Sequence, residues 1–303
     1  MAFSGAMVKK AADQTGADYN LGAEPFGVVV GWDTEVYDTD GWHDTGSNTS
    51  RFTVPSGVSY VRMTANLRFN GTITGSVAVF VWVMKNGDTN TATRHINLPI
   101  CMEDVSDGFS TIRLPNLVSG PIAVTPGDYL ELMLFTKNDD SVTVEALSWC
   151  AIEAIANFSG CLVKKSADET AADYGTADVA LTWDTEAFDV GGWHDTGSNT
   201  SRLTVPSGVS YARLSGCVTV TSLAAGTDVQ IWVTKNGDNA AATRHINLPY
   251  VLEDSDEAAR HLNFMSCPLA VSAGDYFELR LLTAGDASVT VEDYSWFAIE
   301  KIA

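Results

Sequence analysis

Basic residues are scarce in this sequence. Its 303 residues include 18 Lys and Arg against 38 Asp and Glu, which gives a formal net charge of −20 at pH 7. The acidic excess is present in both halves, so no basic half is reserved for phosphate groups. Because nucleic acids and anionic membrane surfaces attract positive charge, we expect neither as a partner of this chain.

Long apolar runs and paired cysteines are also missing. The longest apolar run, Val77 to Met84, is far too short to span a bilayer, and no stretch near the first residue has the length of a signal peptide. The five cysteines contain no CxxC motif, and none has a Cys at the matching position of the other half. We therefore expect synthesis in a reducing cytoplasm, without insertion into the membrane and without disulfides.

The familiar catalytic motifs are absent. The sequence contains no Gly-x-Ser-x-Gly, no His-Glu-x-x-His and no phosphate-binding glycine loop. We therefore expect a protein that is not an enzyme. Sequence alone does not measure the separation of two carboxylates, so glycan hydrolysis remains open as a third alternative.

What the sequence does have is a tandem duplication. The eleven residues from Gly41 to Arg51 recur letter for letter from Gly192 to Arg202, and the eight from Ala92 to Pro99 recur from Ala242 to Pro249. A repeat of about 150 residues has the length of a whole domain rather than of a solenoid unit. The sequence therefore predicts two domains, residues 1–156 and 157–303, the second a duplicate of the first.

Each copy has the pattern of an all-β domain. Alternating or β-branched runs are bounded by Gly, Asn, Asp and Pro, and helical periodicity is scarce. Asn86-Gly87 and Asn236-Gly237 are typical of type I′ hairpin turns. We predict antiparallel sandwiches whose strands in the first copy are 3–10, 27–32, 50–54, 59–66, 77–85, 94–99, 111–118, 129–136 and 142–153.

The order of these motifs resembles the C1q/TNF-like jelly-roll family. The ordered set consists of Phe3-Ser4, Trp42-His43-Asp44, Arg51 to Pro55, Gly57 to Tyr60, Lys85-Asn86-Gly87 and Gly127-Asp128-Tyr129. The resemblance implies two tandem jelly rolls and threefold packing of copies into a homotrimer. The chain has no collagen-like stalk, so the resemblance favours the jelly rolls of phage fibre heads and spikes, or of gene transfer agent particles, over complement and cytokine proteins.

A candidate glycan site occurs in each copy at the same turn. An aromatic face that stacks on a pyranose, beside fixed donors and acceptors for hydroxyl groups, is the composition of a sugar site. The alternative is that the tryptophan fills the sandwich and the polar residues satisfy the turn backbone. The candidate residues are Trp42, His43, Asp44, Asn48 and Arg51, with Trp193, His194, Asp195, Asn199 and Arg202 in the second copy.

Two further groups of residues are open to a functional interpretation. Carboxylates clustered in sequence have the hard oxygen ligands that Ca²⁺ prefers, although their spacing matches no EF-hand and solvated side chains are the alternative. His95 and Asn97 share one strand face, which either binds a ligand or is an ordinary exposed surface. The clustered carboxylates are Asp33, Glu35, Asp38, Asp40 and Asp44, mirrored by Asp184, Glu186, Asp189 and Asp195.

These observations predict a non-enzymatic carbohydrate-binding spike or fibre protein of a phage-like particle. Its expected partners are cell-surface polysaccharide and a capsid or spike-base protein, and its expected location is the particle surface after release. Two sites on one chain favour attachment to a repeating polymer through avidity. The alternative is a purely structural capsid decoration protein, and the third is a glycan depolymerase.

Overall fold

The chain folds into two compact units, Met1–Asn157 and Phe158–Ala303. The structure is a computed structural model. It describes residues 3–15, 28–70, 77–88, 97–102, 111–137, 143–170, 174, 178–222, 228–240, 246–251, 259–284 and 289–302. The boundary between the units lies one residue beyond the position at which the repeated motifs divide the sequence.

Every regular element in the described ranges is a β-strand. The strands of the first unit are β1 (Gly5–Lys9), β2 (Gln14–Thr15), β3 (Val28–Val29), β4 (Thr34–Asp38), β5 (Arg51–Thr53), β6 (Tyr60–Asn70), β7 (Val77–Lys85), β8 (Asn97–Met102), β9 (Thr111–Val118), β10 (Ile122–Ala123), β11 (Tyr129–Lys137), β12 (Thr143–Val144) and β13 (Trp149–Ala154).

The second unit repeats this series. Its strands are β14 (Gly160–Lys164), β15 (Glu169–Thr170), β16 (Val179–Ala180), β17 (Thr185–Val190), β18 (Arg202–Thr204), β19 (Tyr211–Thr221), β20 (Asp228–Lys235), β21 (Ile246–Val251), β22 (Ala259–Met265), β23 (Leu269–Ala270), β24 (Tyr276–Ala284), β25 (Thr290–Val291) and β26 (Trp296–Lys301).

Each unit is a sandwich of two antiparallel sheets. In the first unit the larger sheet runs β2-β12-β6-β13-β1-β4, with β9 and β10 also paired to β6, and the smaller runs β3-β11-β7-β8, with β5 paired to β11. The first long strand pairs with the last, and apart from the β7–β8 pair the neighbours in each sheet are distant in the chain, as in a jelly roll. The second unit has the same two sheet orders, so the predicted fold class is confirmed.

The core lies between the two sheets and follows directly from strand alternation. On β6 the inward positions are Val61, Met63, Ala65, Leu67 and Phe69, all at most 1% exposed. They belong to one apolar cluster with side chains of the smaller sheet, such as those of β11. Because side chains alternate between the faces of a strand, this period of two places one face of β6 in the core. The second unit has an equivalent cluster.

The turns and most long strands agree with the sequence pattern. Asn86 and Gly87 have φ values of 55° and 71°, and Asn236 and Gly237 have 55° and 73°, as a type I′ turn requires. The strand β4, at the edge of the larger sheet, was not among the predicted strands. Its residues are half-exposed or exposed throughout, so no buried face marks it in the sequence.

The four cysteines whose side chains the structure describes are free thiols. Cys150, Cys161 and Cys217 are buried and Cys267 is exposed. Burial raises the pKa of the Cys217 thiol to about 12, which keeps it protonated at neutral pH. In the part of the chain that the structure describes, no helix has the length and hydropathy needed to cross a bilayer.

Candidate functional site

The segment between β4 and β5 is organised by one carboxylate. Asp38 accepts hydrogen bonds from the main-chain amides of Gly41 (2.9 Å), Trp42 (3.0 Å) and His43 (2.9 Å). Asp189 accepts the corresponding amides in the second unit. This carboxylate therefore fixes the course of the backbone as it enters the turn that carries the candidate residues.

The two tryptophans of the predicted site belong to the core. Trp42 and Trp193 are both 0% exposed and lie in the apolar clusters of their units. A sugar ring stacks on an aromatic face only where that face is open to solvent. Of the two alternatives for these tryptophans, a stacking face is therefore wrong for Trp42 and Trp193, and the other, that each ring fills the sandwich, is confirmed.

The two histidines lie beneath the turn and brace it. The His43 side chain is 0% exposed, with Nε2 at 3.0 Å from the Thr49 carbonyl oxygen and Nδ1 at 3.2 Å from Glu35 Oε1. His194 makes the same two contacts, with the Thr200 carbonyl and Glu186. Both ring nitrogens face acceptor oxygens, so each nitrogen is placed to donate a hydrogen bond. The predicted direct contact of these histidines with a ligand is wrong, since neither side chain reaches the surface.

Asp44 lies at the exposed tip of the turn and closes it. One carboxylate oxygen accepts the Gly46 amide at 2.7 Å and the other accepts the Ser47 hydroxyl at 2.6 Å. The Ser47 hydroxyl, followed by the Gly46 amide, lowers the pKa of Asp44. Asp195 has the same contacts, and its pKa is lowered by the Ser198 hydroxyl and then the Gly197 amide. Both carboxylates are therefore ionised at neutral pH.

Asn48 completes the turn and leaves its side chain exposed. Its φ of 50° lies in the left-handed region, which asparagine tolerates better than most residues, and its carbonyl accepts the Arg51 amide at 2.9 Å. Asn199 does the same with a φ of 52° and the Arg202 amide. No hydrogen bond to either side-chain amide comes from the described residues, so each amide has a donor and an acceptor to offer.

Arg51 is the best-placed ligand-binding group of the turn. Its guanidinium lies 4.0 Å from the centroid of the Tyr129 ring, and its Nε donates to Glu131 Oε1 at 3.3 Å. Arg202 makes the same contacts with Tyr276, at 4.1 Å, and Glu278, at 3.3 Å. These contacts hold the plane of each guanidinium, and its terminal nitrogens have no other hydrogen-bond partner within the described ranges.

The tyrosine beneath the guanidinium is positioned by the adjacent hairpin turn. The Asn86 side-chain Oδ1 accepts the Tyr129 main-chain amide at 2.9 Å, and the Asn86 side-chain Nδ2 donates to Asp128 Oδ1 at 2.7 Å. A Cβ at Gly87 would lie 2.9 Å from the Tyr129 hydroxyl, so glycine gives the ring its room. In the second unit burial raises the pKa of Asp275, but hydrogen bonds from Asn236 and Lys235 outweigh burial and lower it to about 2.

These side chains line a shallow polar pocket in each unit. The pocket of the first unit has a volume of about 320 Å³ and is lined by Asp44, Asn48, Arg51 and Tyr129 together with neighbouring turn residues. The pocket of the second unit, about 300 Å³, is lined by the equivalent Asp195, Asn199, Arg202 and Tyr276. All five predicted residues of the first copy line its cavity, although the side chains of Trp42 and His43 are themselves buried. In the second copy three of the five line the cavity.

The tyrosines and the buried glutamates of the site were not among the residues predicted from the sequence. Tyr129 and Glu131 begin β11 and pair with Thr53 and Arg51 of β5, about eighty residues earlier in the chain. Tyr276 and Glu278 pair with β18 in the same way. The repeated Gly-Asp-Tyr motif was the available signal, but only the sheet register shows that it lies beside the arginine.

The acidic residues near the turn serve separate purposes. Asp33 accepts the Ala11 amide, Glu35 faces His43, and Asp38 and Asp44 bind main-chain amides of the turn. Among the residues that the structure describes, no group of three or more His, Cys, Asp or Glu side chains could hold a metal ion. His95, the other candidate, lies outside the described residues, as does its counterpart His245.

Comparison with known proteins finds likeness in fold. No protein-family model matches the chain, and no curated protein matches it. A crystal structure of murine APRIL is 11% identical and covers 48% of this chain and 100% of its own, with a TM-score of 0.36. The globular domain of zebrafish complement 1qA is also 11% identical and covers 48% of this chain and 97% of its own, with a TM-score of 0.33.

Proposed function

We propose that this chain is a non-enzymatic carbohydrate-binding protein that attaches a phage-like particle to cell-surface polysaccharide. The observation that carries the proposal is a polar pocket built twice from the same residue types. Each pocket combines guanidinium donors, an ionised carboxylate and a primary amide. A sugar hydroxyl both donates and accepts a hydrogen bond, so this combination matches it.

Duplication supports attachment to a repeating polymer. A shallow pocket with one fixed arginine binds a sugar weakly on its own. When one site is occupied, the second site of the same chain meets the polymer at a high effective concentration, which raises the overall affinity without new contacts. A repeating glycan is the kind of ligand that two equal and separate sites can share.

The proposal does not include catalysis. General acid catalysis on a glycosidic bond needs a carboxyl group whose pKa is raised, paired with a second carboxylate. The exposed carboxylate of the first pocket is Asp44, whose pKa is lowered by the Ser47 hydroxyl, and Glu131 is 6% exposed and engaged by Arg51. This arrangement favours binding over bond cleavage.

One observation supports the structural alternative, a capsid decoration protein. Asp44, Asn48 and His43 all satisfy main-chain groups of the turn, so the repeat of these residues is also explained by a fold that needs this turn. On that alternative the chain is a capsid decoration protein without a glycan ligand. The structural alternative does not explain the terminal nitrogens of Arg51 and Arg202, which have no hydrogen-bond partner among the residues that the structure describes.

On our proposal the particle is a phage or a gene transfer agent, and this chain is its spike or fibre. The chain is made in the cytoplasm and reaches its ligand on the particle surface after release. Its other partners are a capsid or spike-base protein and further copies of itself, as a homotrimer. Light scattering of the purified chain tests the trimer, because a monomer at micromolar concentration contradicts it.

The experiment that tests the proposal is direct binding of the purified chain to capsule polysaccharide from host cells. We expect saturable binding that weakens in Arg51→Ala and in Arg202→Ala, and that weakens further in the double variant. The exposed Thr45 of the same turn offers a matched control, Thr45→Ala, which should bind like the wild type. Absence of binding by the folded wild-type chain would favour the decoration protein.

The third alternative, a glycan depolymerase, is distinguished from a binding protein by the length of the glycan after incubation. The polysaccharide is incubated with the chain and analysed by size-exclusion chromatography. An unchanged elution profile agrees with binding alone. Progressive shortening that is lost in a pocket variant would identify a depolymerase and contradict the non-enzymatic proposal.

A further inference from the structure

The positive charge of each pocket is neutralised within the protein. Glu131, which is 6% exposed, contacts Arg51 Nε at 3.3 Å and also accepts the Ser50 hydroxyl at 2.7 Å. Glu278, which is 7% exposed, is placed the same way beside Arg202 and Ser201. An anionic ligand therefore meets a guanidinium whose charge is already balanced at close range by a buried carboxylate.

The second unit keeps this balance despite an added cation. Arg280 Nη1 lies 3.8 Å from Glu278 Oε2, where the first unit has Met133. The Arg280 Nε donates to Asp178 Oδ2 at 2.8 Å, so the extra cation has an anion of its own. The two pockets thus differ in residues beneath the arginine but have the same charge.

The rim of each pocket adds a negative charge that faces solvent. Asp44 and Asp195 line their pockets, and both are ionised at neutral pH. Counting the arginine, the buried glutamate and the rim aspartate, each pocket carries one net negative charge. The chain as a whole carries −20, so its long-range field also repels polyanions at low ionic strength.

We propose that both pockets select uncharged, polyhydroxylated sugars over sugars that carry carboxylate or sulfate groups. This inference rests on the proposed function and names the ligand class of the same sites. A carboxylate or sulfate only accepts hydrogen bonds, so it leaves the Asp44 oxygens unmatched and adds a repulsion. A pair of hydroxyls satisfies the guanidinium, the Asn48 amide and the aspartate together.

The test compares matched polymers. Polygalacturonate and the galactan obtained by reducing its carboxyl groups have the same linkage and differ only at C6, which carries a carboxylate in one and a hydroxymethyl group in the other. They are measured with dextran, mannan, alginate and hyaluronate by biolayer interferometry on the full chain. At low salt we expect the neutral polymers to bind at least about tenfold more tightly than the acidic polymers.

The dependence on ionic strength shows whether the electrostatic interaction with acidic polymers is repulsive or attractive. Between 10 mM and 500 mM salt, binding of neutral polymers should stay nearly constant, whereas binding of acidic polymers should rise as repulsion is screened. If binding of the acidic polymers weakens as the salt concentration rises, the pocket attracts their charge, and the inference is overturned. Tighter binding of the acidic polymers than of the neutral ones at low salt would also overturn the inference, although the proposed attachment to glycans would stand. Failure of every polymer to bind would overturn both.

Two substitutions locate the effect in the pocket. Asp44→Asn with Asp195→Asn removes one negative charge from each rim, and the ratio of acidic to neutral affinity should rise by about threefold for a charge about 7 Å away in water. Glu131→Gln with Glu278→Gln should shift the ratio the same way without altering the turn. An unchanged ratio in both folded double variants would contradict the inference, and Thr45→Ala is the control.

Discussion

The buried histidine beneath the turn offers the sharpest test of how the site is built. In His43→Ala the ring is lost from a position that is fully enclosed and that connects β4, through Glu35, to the Thr49 carbonyl at the end of the turn. The ring also lies 5.7 Å from the ring of Phe52. The substitution therefore leaves a cavity under the turn and releases the backbone that presents Asn48.

The expected cost follows from these contacts. Two hydrogen bonds to a buried ring contribute about 1 kcal/mol each. The cavity and the lost contact with Phe52 add about 1–2 kcal/mol. A loss of about 3 kcal/mol in a domain of about 150 residues lowers the melting temperature by roughly 6–12 °C. Only the first unit should be affected, since His43 has all its contacts there.

Differential scanning calorimetry of the full chain measures this shift, and hydrogen exchange of residues 44–51 shows whether the turn opens. His194→Ala should have the same effect on the second unit, where the ring contacts Glu186 and the Thr200 carbonyl. The control is Thr45→Ala, an exposed change that should stay within about 0.5 kcal/mol of the wild type. A shift of under about 2 °C in His43→Ala would refute the bracing role of the ring.

Three further predictions concern packing, pH and thiol access. A Cβ at Gly5 would lie 2.4 Å from the Ile152 carbonyl oxygen, so Gly5→Ala should destabilise the first unit by about 2 kcal/mol or more in urea titration. The pKa of Asp275 is about 2, below that of an unfolded Asp, about 3.9. Its contribution to stability is thus complete above about pH 4 and lost as pH falls toward 2, and Asp275→Asn should flatten that part of the stability–pH curve. Of the four cysteines whose side chains the structure describes, Cys267 alone is exposed, so thiol labelling of the native chain should modify it at once and the three buried ones only on unfolding.

The repeated motifs and strand alternation were enough to predict two antiparallel sandwiches, whereas the jelly roll was predicted from the resemblance in the order of the motifs. Inward positions of β6 recur every two residues from Val61 to Phe69, and the Asn86-Gly87 pair adopts the turn that its residue types favour. Both signals are local, because they depend on neighbouring side chains and on backbone preferences. Local signals are the ones that a single sequence carries most reliably.

The site was predicted in part, and the errors have one cause. Asp44, Asn48 and Arg51 do line a pocket, as their polar turn indicates. Trp42 lies in the same turn, yet its ring is buried. Burial is decided by packing between the two sheets, which the turn sequence does not encode. Tyr129 was missed for the same reason, since its approach to the arginine depends on the register between β5 and β11.

The most direct test of glycan binding is a crystal structure of the chain with an oligosaccharide cut from a polysaccharide that it binds. We predict sugar density in both pockets, with hydroxyl groups within hydrogen-bonding distance of the terminal nitrogens of Arg51 and Arg202. The two pockets should hold the sugar in the same orientation, because their lining residues are equivalent. Density elsewhere on the jelly rolls, with both pockets filled by solvent alone, would contradict the account.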